Sequence, residues 1–202
     1  TTLNLINKFM LVIGNGESRA DIDIDSIKDT KIGCNAILRD YFVEHLVCVD
    51  RKMVREAIEA NYKSNIYTRK DWIEEFKAYG ILTVPELPYT GQERADQPFH
   101  WGSGPYAVLI AAAFDNTVKL IGFDLHSDNK YVNNIYKDTK NYDLKNSNAV
   151  DPRYWIHQIS KVFEWFPKTK FQIYQKENWI LPESWKKPNV SLDNLNNLLY
   201  NK

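Results

Sequence analysis

Apolar residues run without interruption from Phe9 through Met10, Leu11, Val12 and Ile13, then stop at Gly14-Asn15-Gly16. A run with no polar alternation predicts a short strand buried on both faces, the position of a central strand in a parallel sheet. Further short runs of this kind are Lys31 to Asn35, His45 to Asp50, Asn65 to Thr68, Ile81 to Val84, Val118 to Asp124 and Lys170 to Tyr174. Between them the period lengthens. Met53, Val54, Ala57 and Ile58 fall on one face of a helix from Arg51 to Asn61, and Ala36, Ile37 and Tyr41 suggest another. Asp71 to Tyr79 has an acidic cap and Gly80 just past its end, Ala107 to Phe114 is alanine-rich, and Asp151-Pro152 opens a helix carrying Tyr154, Trp155, Ile159, Val162, Phe163 and Phe166. The tail from Leu192 to Tyr200 reads as a short helix. Strands alternating with helices predict an α/β fold, a Rossmann-like three-layer sandwich with a mostly parallel sheet. The expected organisation is one domain over 1–202, with a flexible lid over 125–150 and a tail over 175–202.

The strand ends hold the candidate chemistry. Gly14 and Gly16 let the backbone turn and Asn15 offers an amide, in the place where an open α/β sheet receives its ligand. A tight turn with no ligand is the plainer reading of the same tripeptide. Arg19 stands where the third glycine of the dinucleotide fingerprint would be, which disfavours an NAD-dependent oxidoreductase. Asn35 and Asp50 end the next two strands on the expected same rim, and Asp124 ends a later one. Ser103-Gly104-Pro105 expose backbone amides at a positive helix end, suited to a phosphate or carboxylate; alternatively Ser103 is an ordinary helix cap. The acids Asp21, Asp23 and Asp25 resemble a metal-binding pattern, but Ile22, Ile24 and Ile27 between and after them look like packing anchors, and no metal is expected. Pro85 to His100 is a long punctuated loop. Leu125 to Val150 lacks periodicity, which suits a flap over a ligand or simple disorder.

Composition narrows the picture. The 202 residues carry 26 basic and 26 acidic side chains, so the net charge is zero. Nucleic acid is not an expected partner, because that binding rests on a basic surface. No apolar segment reaches the length of a bilayer span and no signal-peptide pattern opens the chain, so a cytoplasmic location is expected. Cys34 and Cys48 lie in predicted strands and read as core residues. Aromatic residues make up 13% of the chain, and many fall between Tyr131 and Trp185, as a platform for a sugar or base or as a packed helix face.

Ile13-Gly14-Asn15-Gly16-Glu17-Ser18, the Cys34-Asn35 strand end, Ser103-Gly104 and Ile121-Gly122-Phe123-Asp124 together resemble, in order and spacing, the bacterial sialyltransferases that modify lipooligosaccharide. A wider group of Rossmann-like proteins, phage proteins among them, shares these features. The resemblance implies a glycosyltransferase that uses a nucleotide-sugar donor, most of all a CMP-sugar such as CMP-sialic acid, and a carbohydrate acceptor, with no metal. Gly14, Asn15, Gly16, Asn35, Ser103, Gly104 and Asp124 fall on its donor-binding positions. His126 and Tyr131 fall on its two tyrosines near the leaving phosphate. Its general-base histidine has no clear match; Asp151 falls near that position and His157 lies close by, while His100 alone matches a basic residue before Ser-Gly. The alternative is a non-catalytic nucleotide-binding or assembly protein of the same fold, and a homo-oligomer is left open.

Overall fold

A computed structural model describes residues 9–87, 101–126, 129–149 and 151–198. Most of the loop from Pro85 to His100, with His100 itself, and Val150 lie outside them. Eight strands form one sheet: β1 (Met10–Ile13), β2 (Thr30–Cys34), β3 (His45–Val47), β4 (Asn65–Thr68), β5 (Leu82–Thr83), β6 (Thr117–Ile121), β7 (Lys170–Gln175) and β8 (Val190–Asn194). Their order is β5-β4-β3-β2-β1-β6-β7-β8 and every pairing is parallel. The chain leaves β1 toward one edge and returns through β6 to build the other, so the order reverses between β1 and β6. That reversal opens a crevice at the carboxyl ends of the strands.

The period-2 geometry of β1 explains its unbroken apolar sequence. Met10 and Val12 face one layer with α2 (Ser103–Phe114) and α3 (Arg153–Trp165), whereas Leu11 and Ile13 face the other with α1 (Arg51–Glu59). All four strand residues are buried. Helix α2 is apolar on nearly every side because it lies between the sheet and α3. Trp185 closes that layer: its indole Nε1 donates to the Ile156 carbonyl at 3.0 Å and its ring meets Phe163 edge-on. Much of the aromatic cluster therefore packs the core.

Several elements are shorter than the sequence patterns predict. The expected helix through Ala36, Ile37 and Tyr41 is one 3-10 turn, Asn35–Arg39, and the expected helix from Asp71 to Tyr79 is two, Lys70–Trp72 and Lys77–Tyr79. The tail read as a helix is instead the edge strand β8, followed by a 3-10 turn at Leu195–Asn197. Pairing with β7 overrides the weak local preference of an Asn-rich segment. Among Asp21, Asp23 and Asp25, Asp23 accepts from the Asp25 backbone amide and caps a turn. Ile24 and Ile27 are buried, as packing anchors should be. No helix among the described residues is long and apolar enough to cross a membrane.

Gly14 and Gly122 bring β1 and β6 together at their ends. The Gly14 amide donates to the Ile121 carbonyl at 2.8 Å and the Gly16 amide to the Gly122 carbonyl at 2.9 Å. A Cβ on Gly14 would lie 2.5 Å from the Gly122 oxygen, a backbone atom that has no room to yield. Gly14→Ala is expected to cost about 2 kcal/mol or more in urea unfolding, as overpacking does. Gly80→Ala, at a left-handed position with nothing within 4 Å, is expected to cost about 1 kcal/mol, its backbone strain alone. Equal costs for the two would contradict the close approach.

Candidate functional site

The crevice between β1 and β6 becomes a cleft of about 200 Å³, walled by the turn at Gly14, Asn15 and Gly16, by Asn35, by Ser103 and Gly104, and by Asn133 and Trp155. Five segments far apart in sequence thus meet on one rim. Asn35 follows β2 directly with φ of 53°, the left-handed region that Asn tolerates better than most side chains. That backbone turn starts the 3-10 helix and leaves the side chain on the rim. Its Oδ1 accepts from the Ser103 hydroxyl at 3.3 Å, and the same hydroxyl accepts from the Val49 amide at 3.1 Å. Ser103 is therefore not the helix cap. Gly102 is the capping residue, and no side chain closes the helix end. The first-turn amides of Ser103 and Gly104 have no carbonyl of their own helix to bond, and their positive end favours an anion.

Asn15 is held by two partners. Its Nδ2 donates to the Cys34 carbonyl at 3.0 Å and its Oδ1 accepts from Arg19 at 3.0 Å. One amide hydrogen remains for a ligand. Arg19 is buried, with Nε donating to the Gly14 carbonyl at 2.7 Å and its terminal nitrogen reaching the Tyr136 hydroxyl at 3.4 Å. Tyr136 in turn donates to Asp40 at 2.9 Å. Burial, the larger effect, pushes the Tyr136 hydroxyl up to about 12, so it is neutral and a donor throughout the physiological range. Asp124 is buried too. Its carboxylate accepts from the Ser18 amide at 2.9 Å, from the Ser18 hydroxyl and from Gln175 Nε2 at 2.8 Å. A Cβ on Gly16 would strike that carboxylate. Asp124 thus fixes the glycine turn from beneath, and its oxygens are engaged by the protein itself.

Of the lid expected over 125–150, residues 129–149 are fastened across the rim. The Ile135 amide donates to the Asn15 carbonyl at 2.9 Å, the Glu17 amide to Asn133 Oδ1 at 2.8 Å, and the Ala36 amide to the Tyr142 hydroxyl at 3.1 Å. Lys137 pairs with Glu17, and Arg39 reaches Thr139 Oγ1 at 2.7 Å and the Lys140 carbonyl at 2.8 Å.

A scan of protein families gives no match, and neither does a comparison with curated proteins. Solved structures do match. The α-2,3-sialyltransferase Cst-I from Campylobacter jejuni superposes with a TM-score of 0.61 at 16% identity, over 89% of this chain and 80% of that one. A point mutant of the α-2,3/8-sialyltransferase CstII gives 0.53 at 16% identity, over 94% and 88%. The fold is that of bacterial sialyltransferases.

Within this sialyltransferase-like fold the residues expected to bind a donor line one cleft, and three of those expected to catalyse line the two clefts that adjoin it. Gly14, Asn15, Gly16, Asn35, Ser103, Gly104 and Asp124 all line the central cleft. His126 and Tyr131 line an adjoining cleft of about 950 Å³ beyond β6, which shares Asp124 and Asn133 with the central one, together with Lys137, Lys176 and Trp179. Asp50 and Asp151 line a third, of about 570 Å³ beyond β3, with Arg51, Arg55, Arg69 and Trp72. His157 is part-buried on α3 and lines none of the three. Asp50 caps α1 by accepting from the Lys52 amide at 2.9 Å. Arg153 hydrogen-bonds Asp151 and holds its carboxyl below the usual carboxylate range. Among the described residues no group of three His, Cys, Asp or Glu side chains could hold a metal ion.

Arg19, Tyr136 and Asn133 were not legible as site residues. Arg19 reads only as a broken glycine motif, and the other two fall in a segment without periodicity. Cys34 also lines the central cleft, but burial outweighs the nearby Arg19 and pushes its thiol up to about 12; burial raises Cys48 as well. At pH 8 the ionised fraction of Cys34 is therefore far below that of an ordinary thiol. Iodoacetamide at pH 8 is expected to leave both cysteines unmodified in the folded protein and to label both in urea. Rapid labelling of the folded protein would contradict this environment.

Proposed function

We propose that this protein binds a nucleotide-activated sugar, a CMP-sugar first of all, in the central cleft and transfers the sugar to an acceptor hydroxyl without a metal. The carrying observation is that Asn15, Asn35 and the Ser103-Gly104 helix end converge on one cleft at the reversal point of a sialyltransferase-like sheet. Under this reading the helix amides take the phosphate. The two asparagines orient the nucleoside and sugar. In an inverting displacement the acceptor oxygen bonds to the anomeric carbon, the bond to the phosphate oxygen breaks, and the acceptor proton passes to a base. Asp151 is the candidate base, at the start of α3 beside the cleft. Its lowered pKa makes it a weak one. His126 and Tyr131, like Asp151, line a cleft that adjoins the central one, and His157 lines none of the three.

A specific observation favours a second reading, a nucleotide-binding protein without transfer activity. Cys34 and Asp124 are the titratable side chains that line the central cleft among the described residues, one kept as a thiol and the other enclosed by Ser18 and Gln175. Neither suits proton abstraction.

A thermal-shift and turnover series tests both. Cytidine monophosphate at 100 times its dissociation constant should stabilise the fold by about 2.7 kcal/mol. Asn35→Gly, which keeps the left-handed backbone and removes the amide, should fold normally and lose at least ten-fold in nucleotide affinity. Donor hydrolysis that falls in Asp151→Asn with binding intact supports transfer, whereas binding with no turnover in any variant supports the second reading. No stabilisation by any cytidine or uridine nucleotide overturns both.

A further inference from the structure

We infer that Trp155 is a catalytic residue of the proposed transfer, its indole N–H bonding the phosphate oxygen that parts from the sugar. The inference rests on the donor reading of the central cleft and names the side chain that meets the leaving group there. Helix α2 starts on the rim with Gly102 at its cap and no side chain closing it, so the amides of Ser103 and Gly104 are two free donors at the cleft wall. A bound phosphodiester has two free oxygens for them. Its bridging oxygen gains charge as the bond to the sugar breaks, and needs a donor of its own.

Helix α3 supplies it. Trp155 and Gln158 share a face of that helix, one turn apart. The face meets the start of α2: the Gly102 amide donates to Gln158 Oε1 at 3.2 Å, and Trp155 Nε1 lies 3.4 Å from the point where a Gly102 Cβ would stand. Trp155 also lines the central cleft with Ser103 and Gly104, and the cleft beyond β3 as well, so it stands where the two join. Neither side chain spends its donor inside the protein. Trp72, Trp179 and Trp185 each give their indole N–H to a backbone carbonyl at 3.0 Å, whereas that of Trp155 has no partner among the described residues. Gln158 is 1% exposed and lines the cleft beyond β3, and its NH₂ group likewise has no partner among the described residues. A donor so enclosed beside a cleft calls for a ligand oxygen or a water. In the transfer the acceptor oxygen bonds to the anomeric carbon, the bond from that carbon to the bridging oxygen breaks, and its electron pair stays on the phosphate. Trp155 donates a hydrogen bond to that oxygen and keeps its proton, because an indole N–H is a donor only. The bond strengthens as the charge develops, so it lowers the barrier rather than tightening donor binding.

The test titrates the whole protein with cytidine and with cytidine monophosphate, whose phosphate carries the departed oxygen at full charge. It compares the unaltered protein with Trp155→Phe and with a protein carrying benzothienylalanine in place of Trp155, which keeps the bicyclic shape and exchanges the N–H for sulfur. The unaltered protein should bind the monophosphate about ten-fold or more tightly than cytidine. Both variants should bind cytidine as before and lose about ten-fold in affinity for the monophosphate, the worth of one hydrogen bond to a charged oxygen. With a CMP-sugar, kcat should fall about ten-fold or more in both while KM stays nearly the same. An unchanged affinity for the monophosphate in the benzothienylalanine protein, equal losses for cytidine and the monophosphate, or an unchanged kcat overturns the assignment. Absence of monophosphate binding in the unaltered protein overturns the donor reading itself, and the assignment with it. Binding that follows the prediction with no turnover in the unaltered protein overturns the catalytic role and leaves Trp155 a phosphate-binding residue.

Discussion

A single buried guanidinium holds the functional end of this sheet together. Arg19 grips the Gly14 carbonyl and the Asn15 amide oxygen, then reaches the hydroxyl of Tyr136, which is tied to Asp40. A buried cation is costly unless its donors are satisfied. Here three of its five N–H groups bond to the very groups that shape the cleft: the glycine turn on one side and the strap over 129–149 on the other. The geometry of Asn15 is thus a property of a network, and a change at Tyr136 or Asp40 would be felt at the rim without touching a ligand.

The second constraint is steric. Gly14 and Gly122 approach too closely for a side chain on either, and Gly16 leaves room only for the Asp124 carboxylate. Asp124 accepts from Ser18 and Gln175, and so joins β1, β6 and β7 beneath the cleft. The sheet reversal makes the crevice, the glycines allow the backbones to close it, and Arg19 and Asp124 fix its two sides. What remains open on the rim is a set of amides and a helix end, a surface suited to an anionic, hydrogen-bonding ligand.

The sequence revealed the layers more readily than the chemistry. Strands such as β1 are buried on both faces, so their apolar runs survive in the pattern, and Asn15, Asn35 and Ser103 stand at the ends of such runs where topology forces them together. An amphipathic pattern does not record where a helix stops, so the short 3-10 turns near Ala36 and Asp71 carry the pattern of full helices. The edge strand β8 was missed because its residues are polar and its pairing with β7 is a tertiary fact. Arg19 was invisible for a different reason: its role depends on Tyr136, more than a hundred positions away in a segment with no periodic signal. Local sequence does not say toward which side of the rim a residue turns, so it did not show that His126 and Tyr131 line the cleft beyond β6 and Asp151 the cleft beyond β3.

The most direct measurement of this account is amide hydrogen exchange in Arg19→Met compared with the unaltered protein. If the guanidinium joins turn and strap, the amides of Glu17, Ala36 and Ile135, which bond to Asn133, Tyr142 and Asn15, lose protection together, while the Phe171 amide, bonded to the Asn189 carbonyl far from Arg19, keeps its own. Unchanged protection at all three rim amides would contradict the claim that Arg19 holds the site.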